Sequence, residues 1–274
     1  MKKFLALILA LVLCLSFAAC AAEETPEEST PSEEATSAEE SASSEAPAEL
    51  QTLIVGASPS PHAEILRQVV ETLAAEGIDL QIVEFTDYVL PNEALTAGEI
   101  DANYFQHQPY LDTYNAENGT DIVSAGAIHY EPLGVYPGKT ATLEEIQDGA
   151  SIAIPNDGSN EARALYLLQD LGLITVDNTN GYNITVLDIT DNPKNLEITE
   201  IEAAQLPQIL PDVDFAVING NYAIGAGIDG TVLTTEDKDS DAAQTYANII
   251  AVLPGNETDP RIVALIRSEE HTSE

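Results

Sequence analysis

The chain has 274 residues, 44% of them hydrophobic, which suffices for one large or two medium domains with a packed core. Its 47 acidic residues outweigh 9 basic ones, for a formal charge of −38, and such a field repels nucleic-acid phosphates and anionic lipid surfaces. Nucleic acid is excluded as a partner, and so is adsorption of the folded part on an acidic bilayer.

Lys2 and Lys3 precede an apolar run over 4–17, which ends on Ala18-Ala19-Cys20. A charged start, a short apolar stretch and small residues make an export signal over 1–19, too short to span a bilayer. A cysteine directly after two alanines is similar to the lipobox of bacterial lipoproteins. Cys20 is therefore the expected lipidation site, its acyl chains holding the protein to the membrane on the extracytoplasmic side; the alternative is a plain secretory signal with an unmodified thiol. Residues 20–49 form an acidic tether: 21–49 contain ten Glu, no basic residue and otherwise only Ala, Ser, Thr and Pro, so the segment repels itself and has no core to build. With Cys14 inside the signal, no disulfide within the mature chain is possible.

A strand is expected over 50–57, a helix over 61–76 with Ile65, Leu66, Val69, Val70, Leu73 and Ala74 at helical spacing, and a second strand over 79–85. That is a βαβ unit. A short helix over 92–97, stopped by Gly98, leads into a strand over 100–102, beyond which Tyr104, Phe105, His107, Tyr110 and Tyr114 crowd together, with Tyr88 upstream. Aromatic residues are only 5% of the chain. Ligands in open α/β sheets bind beyond the carboxyl ends of strands, so Tyr88, Phe105, His107 and Tyr110 are candidates for a pocket wall; ordinary core packing is the alternative. A helix over 109–115 and strands over 122–127 and 133–136 follow. At Pro137-Gly138-Lys139 the pattern restarts: helix 143–147, strand 151–154, helix 160–171, strands 184–187 and 196–201, helix 203–210 and strand 215–218. A strand over 246–253 and a helix from 259 complete it.

The expected fold class is α/β, with two lobes of mostly parallel sheet and a cleft between them. Residues 50–136 begin lobe 1, 137–230 form lobe 2 and 231–266 return to lobe 1. Residues 267–274 lose the helical pattern and match an in-frame translation of a common sequencing adapter, so they are expected to be a non-native tail.

Arg163 is one of seven basic residues after the signal and falls in the first turn of the helix after Asp157-Gly158-Ser159-Asn160. A helix N-terminus and a guanidinium both favour an anion; a surface salt bridge is the alternative. Asn160 reads as a cap or a ligand contact, and Asn219 and Asn221 as turn residues or ligand contacts. His62, His107, His129 and His271 are scattered without metal-ligand spacing, no nucleophile motif or phosphate loop is present, and no cofactor, metal or catalytic residue is expected.

Three segments carry a resemblance. They are Tyr88-Val89-Leu90-Pro91-Asn92-Glu93-Ala94-Leu95 with Asn103-Tyr104-Phe105-Gln106-His107, then Asn160-Glu161-Ala162-Arg163, and Val217-Ile218-Asn219-Gly220-Asn221-Tyr222. Together they resemble the NlpA/MetQ family of methionine-binding lipoproteins. The resemblance implies a periplasmic-binding-protein-like fold that closes on methionine and delivers it to an ABC permease and its cytoplasmic ATPase, with no enzymatic activity. L-methionine is the first expectation, D-methionine or a methionine-containing dipeptide the next. By position, Arg163 would pair with the ligand carboxylate, Asn160, Asn219 and Asn248 would bond its carboxylate or ammonium, and Tyr88, Phe105, His107 and Tyr110 would enclose its side chain. A surface lipoprotein of the same fold, serving adhesion or signalling, is the alternative.

Overall fold

The computed structural model describes residues 50–237 and 244–270; the signal, Cys20, the tether and 271–274 lie outside the described residues. Strand β1 (Gln51–Ala57) pairs in parallel with β2 (Ile78–Glu84) along its whole length and with β3 (Ala102–His107) at Val55, Gly56 and Ala57. After β4 (Val123–Tyr130) the chain leaves this sheet, and it returns as β12 (Ala247–Val252), which inserts antiparallel between β3 and β4 to give the order β2-β1-β3-β12-β4.

Helices cover both faces. On one, α1 (Glu64–Ala75) and α7 (Pro260–Glu270) bring Leu66, Val69, Leu73, Ile262 and Leu265 into one apolar cluster with Leu53, Val55 and Tyr104. The α1 positions recur at three and four residues, the stripe a helix needs to bury one side. On the other, Leu95 of α2 (Leu90–Ala97) and Leu111 of α3 (Gln108–Asn118) meet Phe105 and Ile249. Helix α2 stops at Gly98, whose φ of 73° supplies the left-handed cap. Strand β3 is buried at every position, with Tyr104 in one cluster and Phe105 in the other. The expected strand over 100–102 is therefore corrected: the strand begins at Ala102 and runs through Tyr104, Phe105 and His107. A strand covered on both faces has no polar alternation to mark it.

The second sheet has the order β11-β5-β10-β6-β9. Its strands are β5 (Gly134–Pro137), β6 (Ser151–Pro155), β9 (Glu197–Ile201), β10 (Phe215–Ile218) and β11 (Thr234–Thr235). Strands β10, β6 and β9 are parallel and β5 runs antiparallel to both β10 and β11, so each sheet is parallel but for one reversed strand, β12 in the first and β5 in the second. Helix α4 (Gly158–Asp170) follows β6, and its buried face from Ala162 to Leu168 shares a core with Ile152, Phe215 and Val217. A short α5 (Leu206–Ile209) precedes β10 and α6 (Gly220–Gly225) follows it, while β7 (Thr175–Val176) and β8 (Ile189–Asp191) pair as a separate two-stranded sheet.

Further expectations are corrected. The stretch 184–187 is helical turn, closed by a Thr185–Asp188 capping box, and the expected helix over 143–147 is a single turn over Leu143–Glu145. Strands β5 and β11, which fall within or at the edge of 50–136 and 231–266, both pair in the second sheet. At the end of the chain the helix continues through Glu270, with Ser268 and Glu269 buried, past the point at which its apolar spacing fails. Among the described residues, no helix is long and apolar enough to cross a membrane.

Candidate functional site

One cavity gathers the eight residues expected to contact or enclose the ligand, and Asn221 with them. Phe105 and His107 come from β3, Tyr110 from the first turn of α3, and Tyr88 from the loop before α2. Facing them are Asn160 and Arg163 of α4 and Asn219, the N-cap of α6, while Asn248 arrives on the returning β12. The free volume is about 20 Å³, room for about one water molecule.

The junction of β3 and α3 sets the histidine. His107 caps α3, its Nδ1 accepting from the Tyr110 backbone N–H at 3.2 Å, so Nε2 carries the proton and donates to Asn160 Oδ1 at 3.1 Å. Burial first, then the Arg163 charge, push His107 down to about 3, which keeps the ring neutral near pH 7. The same Asn160 oxygen accepts from Asn219 Nδ2 at 2.9 Å, and Asn160 Nδ2 donates to Asp157 Oδ1 at 2.9 Å. Asp157, not Asn160, is the cap of α4. Asn219 Oδ1 is buried and has no hydrogen-bond partner among the described residues. Tyr88 donates to Asn221 Oδ1 at 2.6 Å, and Tyr110 donates to the Tyr88 carbonyl at 2.7 Å.

Arg163 is not a surface cation. It is 3% exposed, its Nε lies 2.8 and 3.0 Å from the two oxygens of Glu236, its Nη2 donates to the Glu131 carbonyl at 2.8 Å, and the Tyr246 ring lies 4.3 Å from its guanidinium carbon. Burial opposes the charge, but the hydrogen bonds and charge of Glu236 more than offset it and raise the arginine above its ordinary value.

The scattered histidines partly converge. His129 Nε2 lies 2.7 Å and His62 Nε2 3.4 Å from Glu131 Oε1, and all three ligand atoms fall within 4.8 Å of one another. Two imidazoles and a carboxylate are ligands suited to a divalent cation, but 2.7 Å is hydrogen-bond spacing, whereas two ligands of a tetrahedral zinc stand roughly 3.4 Å apart at bond lengths near 2.1 Å. The cluster acts as a buried hydrogen-bond network: His62 also meets Asn248 Oδ1 at 3.1 Å, and the Tyr104 hydroxyl meets His129 Nδ1. Burial lowers His62 below its ordinary value. For Glu131 burial works toward a higher value, and the two histidines outweigh it, holding the carboxyl below its ordinary range.

Sequence reasoning did not single out Gln106, Glu131 and Gly220 in the cavity wall, nor Glu236 behind Arg163. Nothing in the local sequence sets either glutamate apart from the chain's other acidic residues. Gly220 is selected by space: a Cβ there would lie 3.2 Å from Glu131 Cβ and Oε2.

The family model described as NlpA lipoprotein matches residues 53–272. The D-methionine-binding lipoprotein MetQ of Escherichia coli (strain K12) is 41% identical over 79% of this chain and 79% of its own. Among solved structures, a lipoprotein from Ruminococcus gnavus is 52% identical with a TM-score of 0.79, covering 80% of this chain and 91% of the other. A nutrient binding protein from Burkholderia cenocepacia bound to methionine is 44% identical with a TM-score of 0.74, covering 80% of this chain and 91% of the other.

Proposed function

The chain belongs to the NlpA lipoprotein family, and on that premise we propose that it is an extracytoplasmic substrate-binding lipoprotein that binds methionine and hands it to an ABC permease driven by a cytoplasmic ATPase. It catalyses no reaction. Cys20 carries the lipid that holds it to the membrane.

The observation that carries this reading is the composition of one buried wall. A guanidinium (Arg163), an unpartnered amide oxygen (Asn219 Oδ1) and an ionised carboxylate (Glu131) share a cavity with three aromatic rings and a neutral imidazole. A zwitterion with an apolar side chain complements that set: the carboxylate goes to Arg163 with Asn160, the ammonium to Asn219 Oδ1 and Glu131, with Asn248 bonding either end. Tyr88, Phe105, His107 and Tyr110 enclose a thioether, a polarisable group favoured against aromatic edges. Methionine exceeds the free volume, so admission needs the lobes to part. The bonds from Tyr88 to Asn221 and from His107 to Asn160 cross between them and break on opening.

Denaturing the purified protein and identifying released small molecules by mass spectrometry, followed by calorimetric titration with L-methionine, D-methionine and glycyl-methionine, tests the reading. Binding of L-methionine at least as tight as that of the other two is expected. Preference for D-methionine or the dipeptide revises the substrate within the same mechanism. Absence of binding to all three overturns it in favour of a surface lipoprotein used for adhesion or signalling.

A further inference from the structure

We propose that Glu236 is a positioning residue for ligand recognition: it holds one edge of the Arg163 guanidinium so that the rest of the fork is set for the ligand carboxylate. The inference rests on the reading of the cavity given above and names a residue outside the cavity wall.

The carboxylate of Glu236 is saturated. It accepts Arg163 Nε at 2.8 and 3.0 Å, Arg163 Nη2, the Tyr130 hydroxyl at 3.0 Å and the Leu133 backbone N–H at 2.9 Å, while its own N–H donates to the Leu133 carbonyl at 3.0 Å. The side chain is 10% exposed and that of Arg163 4%, so neither is free to swing in solvent. The bonds to Glu236 occupy the edge formed by Nε and Nη2, the Tyr246 ring covers a face, and the remaining Nη1 side belongs to a residue that lines the cavity. An arginine with four rotatable bonds has many orientations, and removing that freedom before the ligand arrives improves affinity without adding a contact.

The location adds a second consequence. Tyr130 ends β4 and Leu133 precedes β5, so both flank one passage of the chain between the sheets; Glu236 follows β11 and Tyr246 precedes β12, at the two ends of the other. The Arg163–Glu236 pair thus joins α4 to both passages.

The test compares wild type, Glu236→Gln and Glu236→Ala for calorimetric binding of L-methionine and of methioninol, which keeps the ammonium and thioether but lacks the carboxylate. Loss of methionine affinity by about tenfold or more in Glu236→Ala, the scale on which outer-shell partners act, is expected, with methioninol changed less than about twofold and Glu236→Gln intermediate. In an Arg163→Ala background, Glu236→Ala should cost no further methionine affinity, as residues acting in series are not additive. Equal losses for both ligands would assign Glu236 a general structural role, and unchanged or tighter methionine binding would make it a bystander or a competitor for the guanidinium; each overturns the inference. If Glu236→Ala does not fold, Glu236→Gln alone decides by the same comparison. Wild type failing to bind methionine would sink the cavity reading itself, and this inference with it.

Discussion

Tyr88 and Asn221, 133 residues apart, are joined by a 2.6 Å hydrogen bond from the tyrosine hydroxyl to the amide oxygen, one residue on each side of the cavity. Removing the hydroxyl with Tyr88→Phe leaves the ring packed, tilted or edge-on, against Phe105, Tyr110 and Tyr222 but deletes this bond. A net hydrogen bond contributes about 0.5–1.5 kcal/mol. The expected outcome is a two- to tenfold loss of methionine affinity and a larger mean radius by small-angle scattering in saturating ligand.

Arg163→Ala should harm stability as well as binding, because it strands a buried carboxylate. Breaking a buried pair from one side costs about 3–5 kcal/mol. Urea unfolding should report a loss of that order, and Arg163→Met combined with Glu236→Gln should recover much of it while leaving methionine affinity low. A double variant as unstable as Arg163→Ala would show that the pair is not what the arginine stabilises.

His107 gives a proton linkage whose sign is fixed. Its folded value of about 3 lies below the unfolded value near 6.5, so the unfolded chain binds the extra proton between them. Stability from this group is complete above about pH 6.5 and declines as pH falls toward 3, by up to about 1.4 kcal/mol per pH unit. His107→Gln should flatten the acid limb of the stability profile by up to one proton. Glu161 works the other way, because burial raises it to about 7, so the comparison is made between variant and wild type rather than on the raw slope.

Gly138→Ala should destabilise. A Cβ there would stand 2.3 Å from the carbonyl oxygens of Leu210 and Val213, where Gly138 N–H and Lys139 N–H bond to Asp214 and Val213. Overpacking against backbone costs about 1–3 kcal/mol; an unchanged melting temperature would refute this.

Residues that share a local element were legible in the sequence. Phe105, His107 and Tyr110 lie at one strand–helix junction and Asn160 and Arg163 at one helix start, so their spacing already implied convergence. Glu131 and Glu236 were not, because what sets them apart among the chain's 47 acidic residues is burial and partners, which arise only when distant segments meet. His62 and His129 meet for the same reason, at 5.0 Å between ring centres. Strand β3 was misjudged because burial on both faces erases the alternation that marks a strand.

The place of β12 in the first sheet orders events during synthesis. Strands β3 and β4 are consecutive along the chain, yet their shared neighbour arrives only after every strand of the second sheet has emerged. The second lobe is built from one continuous stretch and can assemble as soon as that stretch is available. The first lobe must wait with two unpaired strand edges exposed, the condition in which β-rich chains aggregate. Its closure is a late, non-local step, and slow folding of the half that carries the aromatic wall follows from the topology alone.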